Sequence, residues 1–176
     1  MDWKNLQRHL CAFSTVEDFW SYYGRLPPPS TVFYDGKNRE LKKVGKDGEE
    51  RCIESFSLFK KDIEPSWEDD GNIRGGEWWF RKPLQPAVLD KWWDILVMGL
   101  VGCTIENGDD ITGARIVDKS KAGDGKTIVK LELWVRSKDA ATRNQLLESM
   151  CTLMAEGDAH KADELKREFQ WKVHGV

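Results

Sequence analysis

The hydrophobic and polar positions of the chain change period several times along its length. In "TIVKLELWV", Val129, Leu131, Leu133 and Val135 alternate with Lys130, Glu132 and Trp134. A period of two predicts a strand whose aliphatic side turns to a core. Lys130 and Trp134 then fall on the other side, where an ammonium and an indole are expected to stand together uncovered. "SFSLFK" and "GGEWWF" alternate well enough for two further strands, and "FQWKVHGV" for a terminal one.

Helical spacing governs elsewhere. "AVLDKWWDILVMGLVG" repeats Leu89, Trp92, Trp93, Leu96 and Leu100 between Pro86 and Gly102, which predicts a helix with a Pro start and a Gly stop. "STVEDFWSYYG" predicts a short helix with Ser14 as N-cap, Glu17 three residues on and Gly24 as its end. Val16 and Trp20 are four residues apart and share a face. "DAATRNQLLESMCTLMAEG" predicts a third helix from an Asp139 cap to Gly157, and "DAHKADELKREF" an extra one over about 158–169. The Gly- and charge-rich "YDGKNRELKKVGKDGEERCIE" reads as a mobile excursion or long hairpin, an insertion over about 36–54. Strands and helices mixed without a βαβ rhythm predict an α+β fold, an antiparallel sheet with helices on one face. No linker divides residues 1–176, so a single domain is expected.

Composition narrows the function classes. The chain has 176 residues, 40% apolar and 32% charged, enough for a real core and unsuited to a transmembrane span. The amino terminus lacks a secretory layout, so the cytoplasm is the expected compartment. Cys11, Cys52, Cys103 and Cys151 show no paired spacing, and three scattered histidines match no metal motif. Free thiols, no metal and no cofactor are expected. A formal charge of −3 disfavours a protein that coats nucleic acid through general basicity. It leaves room for a local cluster: Arg115 to Arg136 carries three more basic than acidic side chains.

The nine tryptophans change the picture most. "PSWEDDGNIRGGEWWF" sets Trp67 beside Glu68, Asp69 and Asp70 in a loop-forming stretch, where a large apolar ring has no packing reason to be. An exposed indole, a neighbouring carboxylate and a basic cluster suit a flat cationic aromatic with a polyphosphate tail. Electron-rich rings attract a cationic base, a glutamate accepts two parallel hydrogen bonds from a guanine edge, and lysines answer phosphates. The 7-methylguanosine triphosphate cap of mRNA is such a molecule. A carboxylate centre of Glu68, Asp69 and Asp70 is the enzymatic alternative. Neighbouring acids on one loop rarely hold the separation an acid/base pair needs, so no catalytic activity is expected.

The ordered motifs "W…STVEDFW", "SLFKKDIEPSWEDDGNIRGGEWW", "LDKWW…GLVG" and "ITGARI…LW" closely resemble the cap-binding translation initiation factor four-E family, from Trp3 to about Val135. The resemblance implies a curved antiparallel sheet with about three helices on its convex face. It implies that Trp3 and Trp67 sandwich the methylated base, that Glu68 reads its edge, and that Trp134 lies beside the N7 methyl. Lys130 matches a phosphate-binding lysine, and Lys119 stands where the family usually has an arginine. Lys121 and Lys126 are equally suited to phosphate. Trp78 matches a structural tryptophan, while Trp79 has no counterpart. On the convex side Val16, Trp20, Asp94, Ile95, Met98 and Gly102 resemble a dorsal site for a helical peptide of a four-G-type scaffold or of inhibitor proteins.

Four departures accompany the resemblance. The family's first strand has no counterpart ahead of Trp3, which is therefore expected at a frayable end. Glu77 replaces a usually basic residue near the phosphates. Asp94 replaces an apolar dorsal residue, and the usual loop over the cap's rim is not expected after the last strand. The implied function is cap-dependent recruitment of mRNA to translation initiation. The alternative is a repressor or adaptor in which the dorsal face dominates over a weakened cap pocket.

Overall fold

Alternation along residues 128–135 builds the middle of a five-stranded antiparallel sheet. The computed structural model describes residues 7–37, 41–43, 50–121, 123 and 125–175, with the side chains of 41–43, 50 and 51 outside the description. The described strands are β1 (Leu41–Lys43), β2 (Glu50–Cys52), β3 (Ser55–Phe59), β4 (Gly76–Pro83), β5 (Ile111–Asp118), β6 (Ile128–Val135) and β7 (Gln170–Val173). The large sheet runs β3-β5-β6-β4-β7, and β1 pairs separately with β2 across the insertion.

The α-helices among the described residues are α1 (Val16–Tyr23), α2 (Pro86–Val101), α3 (Ala140–Met154) and α4 (Ala159–Glu168); the last is the extra helix expected over about 158–169, which takes the count one above the three implied by the resemblance. One face of the sheet supplies Phe80, Ile116, Leu131 and Leu133, and the helices meet it with Phe19, Leu89, Trp93, Leu96, Leu146, Met150 and Leu165. All of these side chains are buried, which makes this layer the main source of hydrophobic stabilisation. The family's curved sheet with helices on its back is the architecture observed.

Local signals hold with small shifts. The N-cap of α1 is Thr15, whose hydroxyl accepts from the Asp18 N–H at 3.1 Å, rather than Ser14. Asp139 caps α3 by accepting from the Thr142 N–H at 2.8 Å, which holds its carboxyl below the usual aspartate range. Asp90 and Asp94, one turn apart on α2, fasten the preceding segment. Asp90 accepts from the Ser30 N–H and hydroxyl at 2.8 and 2.5 Å, and Asp94 accepts from the Tyr23 hydroxyl at 2.5 Å.

The strand that the hydrophobic pattern does not reveal is β5. Both faces of "ITGARIVD" are covered, so polar and apolar positions do not alternate. Gly113 lies opposite Phe59 of β3, and a Cβ there would come within 2.5 Å of the Phe59 ring. The glycine that looks like a strand breaker is the residue that lets two strands approach around an aromatic ring.

Candidate functional site

Trp67 is 49% exposed, and its loop is fixed from beneath. Asp69 accepts from the Glu64 N–H at 3.0 Å and from the Gly71 N–H at 2.8 Å, closing the acidic turn on itself. Fully buried Asn72 donates from Nδ2 to the carbonyls of Glu64 and Ser66, each at 2.9 Å. Its own carbonyl lies 3.0 Å from Nδ1 of His174, just past β7, and the His174 N–H donates to the Gly75 carbonyl at 3.0 Å. At Gly75 a Cβ would lie 1.9 Å from the Val135 carbonyl, so only glycine permits this entry into β4. The sequence-predicted pair Trp67 and Glu68 is thus presented to solvent by a loop tied down by Asp69, Asn72 and His174.

Glu68 is exposed and accepts a short hydrogen bond from the Ser66 hydroxyl. A carboxylate offers about four acceptor sites, so capacity remains for two donors of a ligand edge. Trp3 lies outside the described residues.

Trp134 corrects an expectation. It does face away from the helices, yet it is only 4% exposed. His174 lies against its ring at 4.5 Å between centroids, Phe59 meets it edge-on at 5.3 Å, and its Nε1–H donates to Glu132 at 2.9 Å. A face free of helices is not a bare face, because residues from β3 and from the end of β7 fold over the same spot.

Lys130 is also not presented freely. Its Nζ lies 2.9 Å from Glu77 Oε1 and 2.6 Å from Glu132 Oε1, and 5.0 Å above the Trp79 ring. Register explains the grouping: Glu77 pairs with Trp134, Trp79 with Glu132, and Arg81 with Lys130, all on one face of β4 and β6. Burial by itself would lower the Lys130 ammonium, but the Glu132 and Glu77 carboxylates outweigh it and raise it above the ordinary lysine value. Burial likewise opposes the Glu77 charge. The His174 ring and Lys130 outweigh it and hold Glu77 below the ordinary glutamate range.

Lys119 and Lys121 are exposed on the connection between β5 and β6. The base of that connection is fixed by Asp118, which accepts from the Tyr34 N–H at 3.0 Å and the Ser120 N–H at 2.9 Å. Arg81, which the motifs do not single out, is exposed beside it and donates to the Lys119 carbonyl at 3.3 Å. A separate cleft of about 290 Å³ beside Lys126, Pro83 and Pro86 lies at the opposite end of β4 from the Trp67 loop. Trp78 is core, as expected, with its Nε1–H donating to the Arg143 carbonyl at 2.8 Å.

On the helical side Val16 and Trp20 are 57% and 52% exposed, while Ile95 and Met98 are half-buried and Asp94 and Gly102 exposed. The Tyr23 phenol is pushed up by burial, by its hydrogen bond to Asp94 and by the charges of Asp94 and Asp90. Asp94 therefore joins α1 to α2, a role its position in the helix did not disclose.

The family model described as eukaryotic initiation factor 4E matches residues 1–174. The chain is 34% identical over 134 residues to eukaryotic translation initiation factor 4E1 of Drosophila melanogaster, covering 75% of this chain and 42% of that protein. It is 34% identical over 146 residues to the Xenopus laevis factor 4E, covering 80% and 57%. The chain thus spans about half the length of these relatives. Among solved structures, it resembles Ascaris suum eIF4E-3 in complex with the m7G cap, with a TM-score of 0.72, 26% identity, and coverage of 100% and 83%. It also resembles C. elegans eIF4E-3 in complex with the 4E-binding protein Mextli and a cap analog, with a TM-score of 0.68, 25% identity, and coverage of 98% and 82%.

Proposed function

The chain belongs to the eukaryotic initiation factor 4E family, and on that premise we propose that it binds the 7-methylguanosine cap of mRNA and acts in translation initiation in the cytoplasm. The observation that carries the proposal is Trp67, a half-exposed indole next to Glu68 on a loop fixed by Asp69 and Asn72. Such a loop offers a flat electron-rich face at little ordering cost on binding. In this reading Trp67 and Trp3 stack on the base, Glu68 accepts from its N1 and N2 edge, and Lys119 and Lys121 meet the phosphates. Trp134 stands behind the ring as part of the pocket floor. The role is binding rather than catalysis.

The convex side is read as a docking site for a helical peptide of a scaffold or inhibitor protein. Exposed Val16 and Trp20 supply the apolar anchors, and Ile95, Met98, Asp94 and Gly102 border them.

Retention on immobilised 7-methylguanosine triphosphate tests the first part. Wild type is expected to be retained and to resist elution by unmethylated GTP, while Trp67→Ala and Glu68→Ala pass through folded. Equal retention of Trp67→Ala overturns the assignment. Trp20→Ala is expected to keep cap retention and to lose the helical peptide.

A further inference from the structure

The pairing of Lys130 bears on which part of a ligand this face can read. An ammonium has three N–H donors. Those of Lys130 have Glu77 at 2.9 Å, Glu132 at 2.6 Å and the Trp79 ring at 5.0 Å from the nitrogen. Both carboxylates are themselves buried, at 4% and 5% exposure. Glu132 is further held by the Trp134 Nε1–H, and Glu77 lies 3.5 Å from His174 Nε2. Two negative charges therefore surround one positive charge at the strand positions next to the Trp67 loop.

We infer that Glu77 is a specificity-determining residue that withholds Lys130 from phosphate, so that the site selects its ligand by the methylated base and gains little from the phosphate chain. This rests on the cap-binding reading above. A phosphate approaching Lys130 would have to displace a carboxylate at 2.6 or 2.9 Å while facing the unbalanced negative charge of the pair. Other cations around the β5–β6 connection, Arg81, Lys119, Lys121 and Lys126, are exposed, where water and salt weaken each contact. The face thus discriminates little between a ligand with few phosphates and a free triphosphate.

Calorimetric titration of the full chain with 7-methylguanosine and with its mono- and triphosphate tests this. Going from nucleoside to triphosphate is expected to tighten wild-type binding by less than about tenfold, with a shallow dependence on salt. Glu77→Gln keeps an acceptor for Lys130 and removes one negative charge. It is expected to tighten the triphosphate by about tenfold while leaving the nucleoside unchanged, a change in ratio that a merely structural role would not produce. A wild-type gain above about tenfold overturns the inference and leaves cap binding standing. Absence of binding by all three ligands overturns both. If Glu77→Gln does not fold, the wild-type series alone decides.

Discussion

The sheet's open side carries two indole–carboxylate pairs with opposite fates. At the rim, Trp67 and Glu68 project from a loop held by Asp69 and Asn72, and both are exposed. A few residues inward, Trp134 and Glu132 bond to each other at 2.9 Å and are buried with Lys130, Glu77 and His174. The same residue types stand open to solvent in one place and are committed to the fold in the other. What separates them is whether the donors and acceptors already have partners within the chain. A buried polar group must be matched internally, whereas an exposed one is available.

Four perturbations sharpen that contrast, from the largest expected effect to the smallest. Trp134→Ala empties a packed position and leaves Glu132 Oε2 without its indole donor. It is expected to destabilise by about 3–5 kcal/mol, read as a fall in melting temperature of roughly 2–4 °C per kcal/mol. A melting temperature unchanged by this variant would mean that the inner pair is not part of the packed sheet. Trp67→Ala should do the reverse. It is expected to leave melting within about 0.5 kcal/mol of wild type and to weaken cap-analogue binding by about 1–3 kcal/mol of stacking.

Asn72→Ala lies between the two regions. It removes both Nδ2 hydrogen bonds beneath the Trp67 loop and is expected to destabilise by about 1–3 kcal/mol. Hydrogen exchange should then rise at Glu64 to Gly71 and stay unchanged at β5; protection that remains intact in the loop would show that Asn72 does not hold it.

The smallest effect concerns acid. Glu77 sits below the ordinary glutamate range in the folded chain, so the unfolded chain binds its proton first as pH falls from neutrality. Its contribution to stability is therefore full above that ordinary range and disappears as pH falls through the folded value. Urea midpoints measured against pH should decline more gently at the acid end in Glu77→Gln than in wild type. Parallel declines would remove Glu77 from the pairing with Lys130.

Much of this arrangement was legible in the chain itself, for reasons that are local. The alternation of Val129 to Val135 and the helical repeat of Leu89 to Leu100 report which side of each element is buried, because geometry imposes those periods. The Trp67–Glu68 loop stood out because nothing nearby could pack an indole. Patterning did not reveal what depends on residues distant in sequence. Trp134 is covered by His174, forty positions later, and by Phe59, far earlier. Asp94 meets Tyr23 across 71 positions. β5 was hidden because burial on both faces erases periodicity, and Asn72 because an asparagine in a polar loop resembles any other.

The contrast between shielded and open indoles also gives the chain an internal spectroscopic label. Trp67 and Trp20 are the two tryptophans among the described residues that stand about half in water, one on the loop rim and one on α1. A soluble collisional quencher should extinguish their red-edge emission before that of Trp78, Trp93 and Trp134. Replacing either one with phenylalanine should remove its share of the quenchable emission, so the difference from wild type assigns that share to one side of the molecule.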